Sequence, residues 1–294
     1  MERDSIIYKF RRKLQIAAYC ILPNEIMSKF YYRIVLHKKL NLVDPKTFNE
    51  KLQWYKLYYC PNNPLIIQCT DKYLVREYIK IKGMGKYLTS LYGVWEDAKE
   101  IEWDKLPDKF VLKCNHGCAY NILCPDKKEF DIKKATNQLN KWLKEDFGKY
   151  NIEIHYSKIK PRRIICEEYL GDRITDYKFY CFNGVPHFFY VSYDLIHDRQ
   201  AQIGFFNIDG SKLPLVRNDY KSIDEIELPE FYEEMLNVSK VLCKDFPFVR
   251  VDFFIANNRF YFAEFTFTPA AAMMPLNPDK YDYEWGKLLK LMGE

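Results

Sequence analysis

Helical spacing of apolar residues dominates the first third of the chain. Residues 5–85 read as short helices, which are interrupted at Pro23, at Asp44-Pro45 and between Pro61 and Pro64. Proline cannot occupy a helix interior without breaking a backbone hydrogen bond, so these sites predict the ends of helices. Thr47 and Glu50 have the spacing of a capping box and predict that a helix begins there. Further helices are predicted over residues 131–147, 229–243 and 283–292.

Runs typical of strands begin near residue 109. Two short apolar runs, residues 109–114 and 163–168, are predicted as single strands. A longer pair flanks Asn183-Gly184, a dipeptide that strongly favours a tight hairpin turn. A second pair covers residues 248–255 and 260–267. Strands and helices in separate blocks predict an α+β fold that follows a helical N-terminal segment.

Polar residues are placed regularly in the last strand pair. Because side chains alternate between the two faces of a strand, Arg250 and Asp252 share one face, and Glu264 and Thr266 share a face of the next strand. Asp252 lies opposite Glu264 only if the loop has three residues, 257–259, or if a bulge supplies an equivalent extra residue. A two-residue turn without a bulge sends Glu264 to the other face.

Two carboxylates on facing strands repel each other and do not stabilise a sheet. Asp252 and Glu264 therefore suggest a site for a divalent cation, since Mg²⁺ takes oxygen ligands and bridges phosphates. The ordinary alternative is a polar, solvent-facing sheet edge at which Arg250 neutralises the two acids.

Three lysines are candidates for holding phosphate groups. Lys113 ends an apolar strand and precedes a polar turn whose backbone N–H groups can bind an anion, and Lys72 and Lys178 lie at the starts of other elements. The ordinary alternative is a surface lysine, because lysine is seldom buried. Glu167-Glu168-Tyr169-Leu170 ends the strand before Gly171 and is a candidate hinge whose backbone contacts an adenine ring.

The chain's composition and charge narrow the class of protein. Of 294 residues, 48% are hydrophobic and 29% are charged, which supports a packed core and argues against disorder. The net charge is +5, but residues 1–60 carry 12 Lys/Arg against 5 Asp/Glu. This basic N-terminal arm suggests contact with an anionic membrane surface or a charged glycan, with a solvated helix face as the alternative.

Other features concern location and chemistry. No run reaches the roughly 18–20 apolar residues of a membrane span, and nine scattered cysteines favour reduced thiols and a cytoplasmic protein, at the inner face of the membrane if the arm binds there. Cys114, His116, Cys118 and Cys124 do not have the spacing of a structural zinc site. Glycine-rich nucleotide loops and nucleophile motifs are missing, and no motif organises the basic residues for nucleic-acid binding, so no nucleic-acid partner is expected.

The sequence resembles ATP-grasp enzymes, and most closely the TupA-like branch associated with teichuronopeptide and other surface-polysaccharide loci. The resemblance covers about residues 40–285. Four segments carry it: Asp44-Pro45-Lys46-Thr47-Phe48-Asn49-Glu50-Lys51-Leu52-Gln53-Trp54, Leu112-Lys113-Cys114-Asn115-His116-Gly117, Asp176-Tyr177-Lys178-Phe179-Tyr180-Cys181-Phe182-Asn183-Gly184 and Glu264-Phe265-Thr266-Phe267-Thr268-Pro269. It implies two α+β lobes around a nucleotide cleft, with residues 1–70 as a helical segment, 71–165 as the first lobe and 166–294 as the second.

The resemblance also implies roles for single residues. Lys72 and Lys113 match the lysines that bind ATP phosphates. The segment from Glu167 through Glu168 and Tyr169 to Leu170 matches the adenine hinge, and Asp176 lies near the acidic ribose contact. Asp252 and Glu264 match the Mg²⁺ carboxylates, with Thr266 as a third ligand. Arg250 and Lys178 are the candidate catalytic residues, and Arg250 matches an arginine that steadies the transferred phosphate.

The sequence departs from the family pattern at three places. Thr266 replaces the Asn of the usual Glu-x-Asn, Cys118-Ala119-Tyr120 replaces Ser and Gly after His116-Gly117, and Ala270-Ala271-Ala272 follows Pro269 where Pro-Gly-Gly is expected. Alanine adopts positive φ less readily than glycine, so a narrower acceptor pocket or altered activity is expected.

The resemblance implies an ATP- and Mg²⁺-dependent ligase that joins a carboxylate to an amine through an acyl-phosphate, in cell-surface polysaccharide synthesis. The expected substrates are a small-molecule or glycan carboxylate and an amine. Three alternatives stay open: a glycosyltransferase, although the Asp-x-Asp motif common in metal-dependent members is missing; a sugar kinase with the same ATP site; and a binding module without catalysis.

Overall fold

Two antiparallel sheets form the framework of the protein. The computed structural model describes residues 21–172, 174–193, 202–216 and 220–291. Residues 1–20, which hold 5 of the 12 Lys/Arg of the predicted basic arm, lie outside the described residues. Within the described ranges, no helix combines the length and hydropathy needed to cross a bilayer.

Helices precede the first sheet, as the proline pattern predicts. They are α1 (Asn24–Leu36), α2 (Phe48–Trp54), α3 (Pro64–Thr70) and α4 (Val75–Ile81). A π-helical turn, Tyr55–Tyr59, extends α2. The predicted capping box is present at α2, where the Thr47 side chain accepts from the Glu50 N–H and the Glu50 carboxylate accepts from the Thr47 N–H.

The smaller sheet has four strands in the order β1-β4-β2-β3. Its strands are β1 (Leu91–Trp95), β2 (Phe110–Cys114), β3 (Asn121–Cys124) and β4 (Ile164–Glu168). The helices α5 (Ile132–Lys144), α6 (Phe147–Asn151) and α7 (Ile154–Ser157) lie between β3 and β4 in the chain. Leu139 of α5 packs with Leu112 and Cys166 of the sheet in a separate core, so only the opposite face of this sheet is free to line a cleft.

The larger sheet has six strands in the order β10-β9-β5-β6-β7-β8. Its strands are β5 (Thr175–Phe182), β6 (Val185–Tyr193), β7 (Gln202–Asn207), β8 (Lys221–Ser222), β9 (Phe248–Ala256) and β10 (Arg259–Thr266). The predicted turn at Asn183-Gly184 joins β5 to β6, with both residues at positive φ. Helix α8 (Tyr232–Leu242) packs on one face through Met235 and Leu236, and α9 (Lys280–Leu288) ends the described chain.

The limits predicted for the lobes differ from the limits of the sheets. Strand β4 belongs to the smaller sheet, so the boundary at residues 165/166 runs through it, and the chain crosses to the larger sheet only after Glu168. Residues of α2 to α4, including Phe48 and Ile79, share one core with the larger sheet. The helical N-terminal segment is therefore built onto the larger sheet and does not stand apart from it.

Candidate active site

The centre of the candidate site is Asp252 on β9, which lies between β10 and β5 in the larger sheet. Lys178 of β5 is directly opposite it on one side, and Glu264 of β10 is directly opposite on the other. Residues paired in this way project from the same face of an antiparallel sheet. Three charged side chains from three adjacent strands therefore converge on one point.

A bulge in β10 produces this register. The turn between β9 and β10 consists of Asn257 and Asn258, both at positive φ, and it places Phe262 opposite Phe253. The pairing then shifts by one residue, so Ala263 is the extra residue and Glu264 faces Asp252. The predicted three-residue loop is wrong, and the predicted alternative, an equivalent bulge, is correct.

Asp252 is fully buried and is held by two cations. Arg250 Nε donates to its Oδ1 at 2.7 Å and Arg250 Nη2 to its Oδ2 at 2.5 Å, a bidentate pair. Lys178 Nζ donates to the same Oδ2 at 3.2 Å and lies 2.9 Å from Asp176 Oδ1. Burial lowers the pKa of Lys178, but Asp252 and Asp176 outweigh burial and raise it well above its usual value. This lysine is a fixed positive charge, not a base.

Glu264 is more open than Asp252 and has looser contacts. Its side chain is 34% exposed, its Oε2 lies 3.5 Å from Lys72 Nζ, and its Oε1 accepts from Thr266 Oγ1 at 3.2 Å. Burial raises the pKa of Glu264, but Lys72, Lys178 and Arg250 outweigh it and lower the pKa to about 2. Glu264 is thus ionised at any physiological pH and can exchange its partners for a ligand.

Lys72 reaches this cluster from the segment before α4. Its backbone N–H donates to Asn115 O at 3.1 Å, and the Asn115 side chain donates to Asp71 Oδ2 at 2.8 Å. Asn115 belongs to the turn that follows β2. Asp71 and Lys72 therefore connect the turn after β2, in the smaller sheet, to the charged face of the larger sheet.

A second charged group lies on the cleft face of the smaller sheet. Lys113 Nζ contacts Glu167 Oε2 at 2.6 Å, and Arg76 Nη1 contacts Glu167 Oε1 at 2.8 Å. Burial raises the pKa of Glu167, but Lys113 and Arg76 outweigh it and the pKa is lowered. The Glu167 side chain therefore fixes the position of Lys113. Any contact of Glu167 with an adenine ring would have to use its backbone.

A small cavity of about 130 Å³ lies between the two faces, next to the predicted hinge. Val111, Leu123 and Phe254 supply apolar walls from both sheets, and Lys113 and Asp176 are at its polar ends. Its lining also includes the hinge residues Glu168, Tyr169 and Leu170. Ser90 O accepts from the Glu168 N–H at 3.0 Å, so this N–H is not available to a ligand. An apolar slot with a few polar groups suits a flat heterocycle.

The donors on the larger sheet fit Mg²⁺ in kind. Asp252, Glu264 and Thr266 offer oxygen atoms on one face, and Arg250 Nη2 contacts Asp252 Oδ2 at 2.5 Å and Glu264 Oε1 at 3.8 Å, so one cationic group already bridges the two carboxylates. No group of three or more His, Cys, Asp or Glu suited to a metal is found in the described part of the chain. Mg²⁺ commonly binds one or two carboxylates and completes its shell with substrate phosphates, so two carboxylates meet its need.

The turn after β10 keeps positive φ although it contains no glycine. Ala270, Ala271 and Ala272 have φ of 51°, 53° and 63°. Lys56 Nζ donates to Ala271 O at 2.9 Å, and Gln53 Nε2 donates to Ala272 O at 3.1 Å. Both side chains come from α2 and the π-helical turn, so buried donors hold a backbone conformation that alanine disfavours. The backbone shape expected of Pro-Gly-Gly is thus present with alanine.

Sequence reasoning missed two contributors. Arg76 lies one helical turn after Lys72, on α4, and this spacing is the signal that could have found it. Tyr190 of β6 lies 6.0 Å from Lys178 Nζ and 5.6 Å from the Arg250 guanidinium, measured to the ring centroid. Cys114 and Cys124 are buried thiols, and His116 Nε2 contacts Trp142 O at 3.1 Å, in keeping with the rejection of zinc.

Solved structures with a related arrangement are distant in sequence. The D-alanine–D-alanine ligase of Helicobacter pylori has 17% identity and a TM-score of 0.49, over 83% of this chain and 69% of that one. The Bacillus anthracis ligase complexed with ATP has 16% identity and a TM-score of 0.43, over 68% of this chain and 56% of that one. The N5-carboxyaminoimidazole synthase of Aspergillus clavatus, in complex with ADP, has 11% identity and a TM-score of 0.41, over 69% and 45%. The chain thus spans little more than half the length of the Bacillus anthracis ligase.

A family comparison covers most of the chain. No curated protein matches it in sequence. The model of the family described as TupA-like ATP-grasp matches residues 50–290, which include both sheets and every residue of the charged face. This match confirms the predicted family and the predicted α+β ATP-grasp fold. The chain belongs to the TupA-like ATP-grasp family.

Proposed function

We propose that this protein uses ATP and Mg²⁺ to join a carboxylate to an amine through an acyl-phosphate. The observation that carries the proposal is the convergence of Lys178, Asp252 and Glu264 on one face of the larger sheet, opposite Lys113 on the smaller sheet. A cleft with cations on both walls and exchangeable carboxylates on one wall suits a nucleotide triphosphate and its metal ion.

The apolar slot at the hinge is the proposed site of the adenine ring. Asp176 at its edge is the proposed ribose contact, and Lys113 and Lys72 hold the phosphates from the two sides of the cleft. Lys113 would exchange its bond to Glu167 for a phosphate oxygen, while Arg76 continues to hold Glu167. The nucleotide is thereby oriented with its terminal phosphate toward Asp252 and Glu264.

Two displacements make up the proposed reaction. An oxygen of the substrate carboxylate attacks the γ-phosphorus, and the bond from that phosphorus to the β-phosphate oxygen breaks, which releases ADP. The amine then attacks the acyl carbon, the bond from that carbon to the phosphate oxygen breaks, and the departing phosphate takes up the proton that the amine loses. Mg²⁺, when bound at Asp252, Glu264 and Thr266, would offset charge on the β- and γ-phosphates.

Arg250 and Lys178 supply fixed positive charge in this scheme. Both are nearly buried, and Asp252 fixes the positions of both. Positive groups already in place stabilise the charge that develops on the transferred phosphoryl group, because they need little reorganisation during the reaction. Arg250 is proposed to steady this group, and Lys178 to hold Asp252 and Asp176 in place.

The biological setting is proposed from the resemblance to the TupA-like branch. The proposed reaction belongs to cell-surface polysaccharide synthesis, and its proposed substrates are a small-molecule or glycan carboxylate and an amine. The turn at Ala270–Ala272 follows β10 directly and is the proposed acceptor side of the cleft.

Nucleotide-dependent turnover in a Glu264→Gln variant tests the proposal. Glu264 is chosen because it is partly exposed, so its loss should leave the fold intact. With candidate carboxylates and amines supplied together, ADP release should fall on the order of 10²–10³-fold relative to the wild type. Glu284→Gln, on an exposed part of α9, is the matched control and should keep full activity.

Unchanged ADP release in Glu264→Gln would refute the role of this carboxylate. Thermal-shift measurements with ATP, Mg²⁺ and nucleotide sugars separate the alternatives, since a ligand that binds the folded state raises its melting temperature. Stabilisation by a nucleotide sugar and not by ATP would favour glycosyl transfer. A phosphorylated sugar without an amide or ester would favour a kinase.

A further inference from the structure

Helix α1 exposes an apolar row to solvent. Ile26, Phe30 and Ile34 recur every fourth residue along α1 and are 51%, 58% and 48% exposed, and Leu22, which precedes the helix, is 41% exposed. Tyr32, on the opposite side of α1, is buried. Single exposed hydrophobic residues are common, but a contiguous row along one helix face marks a surface that binds something.

Basic side chains accompany this row. Lys29 and Arg33 are exposed on the same helix, and with Lys39 they line a depression of about 630 Å³ that is also lined by Val43, which is 98% exposed. None of these three cations forms an ion pair with a described carboxylate. Lys38, by contrast, is paired with Asp279 at 2.8 Å. The depression is thus a patch of uncompensated positive charge beside apolar side chains.

We propose that the outward face of α1 and this basic depression bind the surface of an anionic membrane. Helices that lie in a membrane interface combine an apolar row with Lys and Arg, and anionic headgroups attract the cations. Glu25, the only acidic residue between positions 21 and 43, is hydrogen-bonded to the Tyr58 hydroxyl. In sequence, Arg11-Arg12-Lys13 precedes the helix and adds charge of the same sign.

A second copy of the chain is a poorer occupant. In a twofold contact the same patch meets itself, so Lys29 and Arg33 of one copy would face those of the other. Like charges placed against each other in an interface cost several kcal/mol. Charge complementarity therefore favours an anionic surface over self-association.

Vesicle sedimentation with the full chain tests the proposal. Wild-type protein should bind vesicles of phosphatidylcholine and phosphatidylglycerol, bind vesicles of phosphatidylcholine alone far less, and dissociate as salt is raised. Lys29→Gln/Arg33→Gln/Lys39→Gln should lower the partition coefficient roughly a hundredfold, since each basic residue near an anionic surface adds about fivefold. Phe30→Ser/Ile34→Ser should lower it by at least about tenfold.

Two control variants make the result specific. Lys133→Gln/Lys134→Gln/Lys141→Gln removes the same number of exposed cations from α5, and Val185→Ser removes an exposed apolar side chain from the β5–β6 hairpin. Both should bind vesicles like the wild type. Equal loss in these controls, no binding of wild-type protein to anionic vesicles, or a wild-type dimer that Phe30→Ser/Ile34→Ser converts to monomers would overturn the proposal. Circular dichroism of each variant checks that it is folded.

Discussion

The two walls of the cleft use charge in different ways. On the smaller sheet one carboxylate, Glu167, lies between two cations, Lys113 and Arg76, beside an apolar slot. On the larger sheet three carboxylates and three cations form a continuous network: Asp176, Asp252 and Glu264 with Lys72, Lys178 and Arg250. The three charged groups named on the first wall carry one net positive charge, whereas the six on the second are balanced.

The two walls are therefore suited to different parts of a nucleotide. Excess positive charge beside apolar side chains suits a base followed by phosphate. A balanced network suits a site that a metal ion and a phosphate enter together. The metal ion can replace a lysine or arginine as the partner of a carboxylate, and the phosphate can replace a carboxylate as the partner of a lysine or arginine. Within that network, Asp252 is locked by burial and Glu264 is open. The following predictions test this contrast.

The largest effect is expected for Asp252→Asn. The variant leaves Lys178 and Arg250 buried without their common partner, and breaking a buried pair in this way costs about 3–5 kcal/mol of unfolding free energy. Turnover should also fall on the order of 10²–10³-fold. Urea unfolding and ADP release measure the two effects. An unfolding free energy equal to that of the wild type would show that the network does not depend on Asp252, and Glu284→Gln is the control for loss of one carboxylate.

Glu167→Gln should destabilise the smaller wall less. Lys113 is 21% exposed and regains some hydration, and Arg76 keeps its hydrogen bond to Thr89 O, so we expect a loss of about 2–3 kcal/mol in the free energy of unfolding. Its chain neighbour provides the comparison: among the described residues the Glu168 carboxylate is hydrogen-bonded only to Ser90, through Oε2, and Glu168→Gln should cost less than about 1 kcal/mol. Equal losses in the two variants would contradict the holding role assigned to Glu167.

Lys113→Met separates nucleotide binding from stability. Arg76 still neutralises Glu167 in this variant, so the fold should change little. The affinity for a non-hydrolysable ATP analogue should fall at least about tenfold, because a charge-assisted hydrogen bond to phosphate contributes about 1.5–3 kcal/mol. Calorimetric titration measures the dissociation constant. Lys109→Met, exposed just before the same strand, should bind like the wild type, and an unchanged affinity in Lys113→Met would remove this lysine from the phosphate site.

Much of the larger wall could be predicted because its signals are local. The Asn183-Gly184 turn sets the β5–β6 hairpin, and strict alternation places Arg250 and Asp252 on one face. A bulge was one of two ways to bring Glu264 opposite Asp252, but its position at Ala263 could not be predicted, since an extra residue leaves no mark in the apolar pattern. The turn at Ala270–Ala272 was expected to deviate, but its conformation depends on donors more than 200 residues away.

The smaller wall was less predictable, because its contacts are not local. Strand β1 is short, contains Gly93 and was not foreseen, and its pairing with β4 joins residues 69 to 76 positions apart. Arg76 reaches Glu167 across 91 positions from a helix. Helix α1 also departs from the usual rule that the apolar side of a helix faces the core. The spacing of its apolar residues predicts a helix, but it does not predict which of them are buried.

The smallest predicted effect concerns the pH dependence of Glu264. Its pKa in the folded state, about 2, lies below the unfolded value of about 4.3, so its ion pairs stabilise the fold above that value and the stabilisation is lost as pH falls toward 2. The side chain is a third exposed, so solvent screening limits the contribution to below about 1 kcal/mol. The difference in unfolding free energy between the wild type and Glu264→Gln should therefore shrink between pH 5 and pH 2. A difference that stays constant over this range would mean that Lys72 and Arg250 do not hold the carboxylate, and Glu284→Gln gives the baseline for an exposed acid.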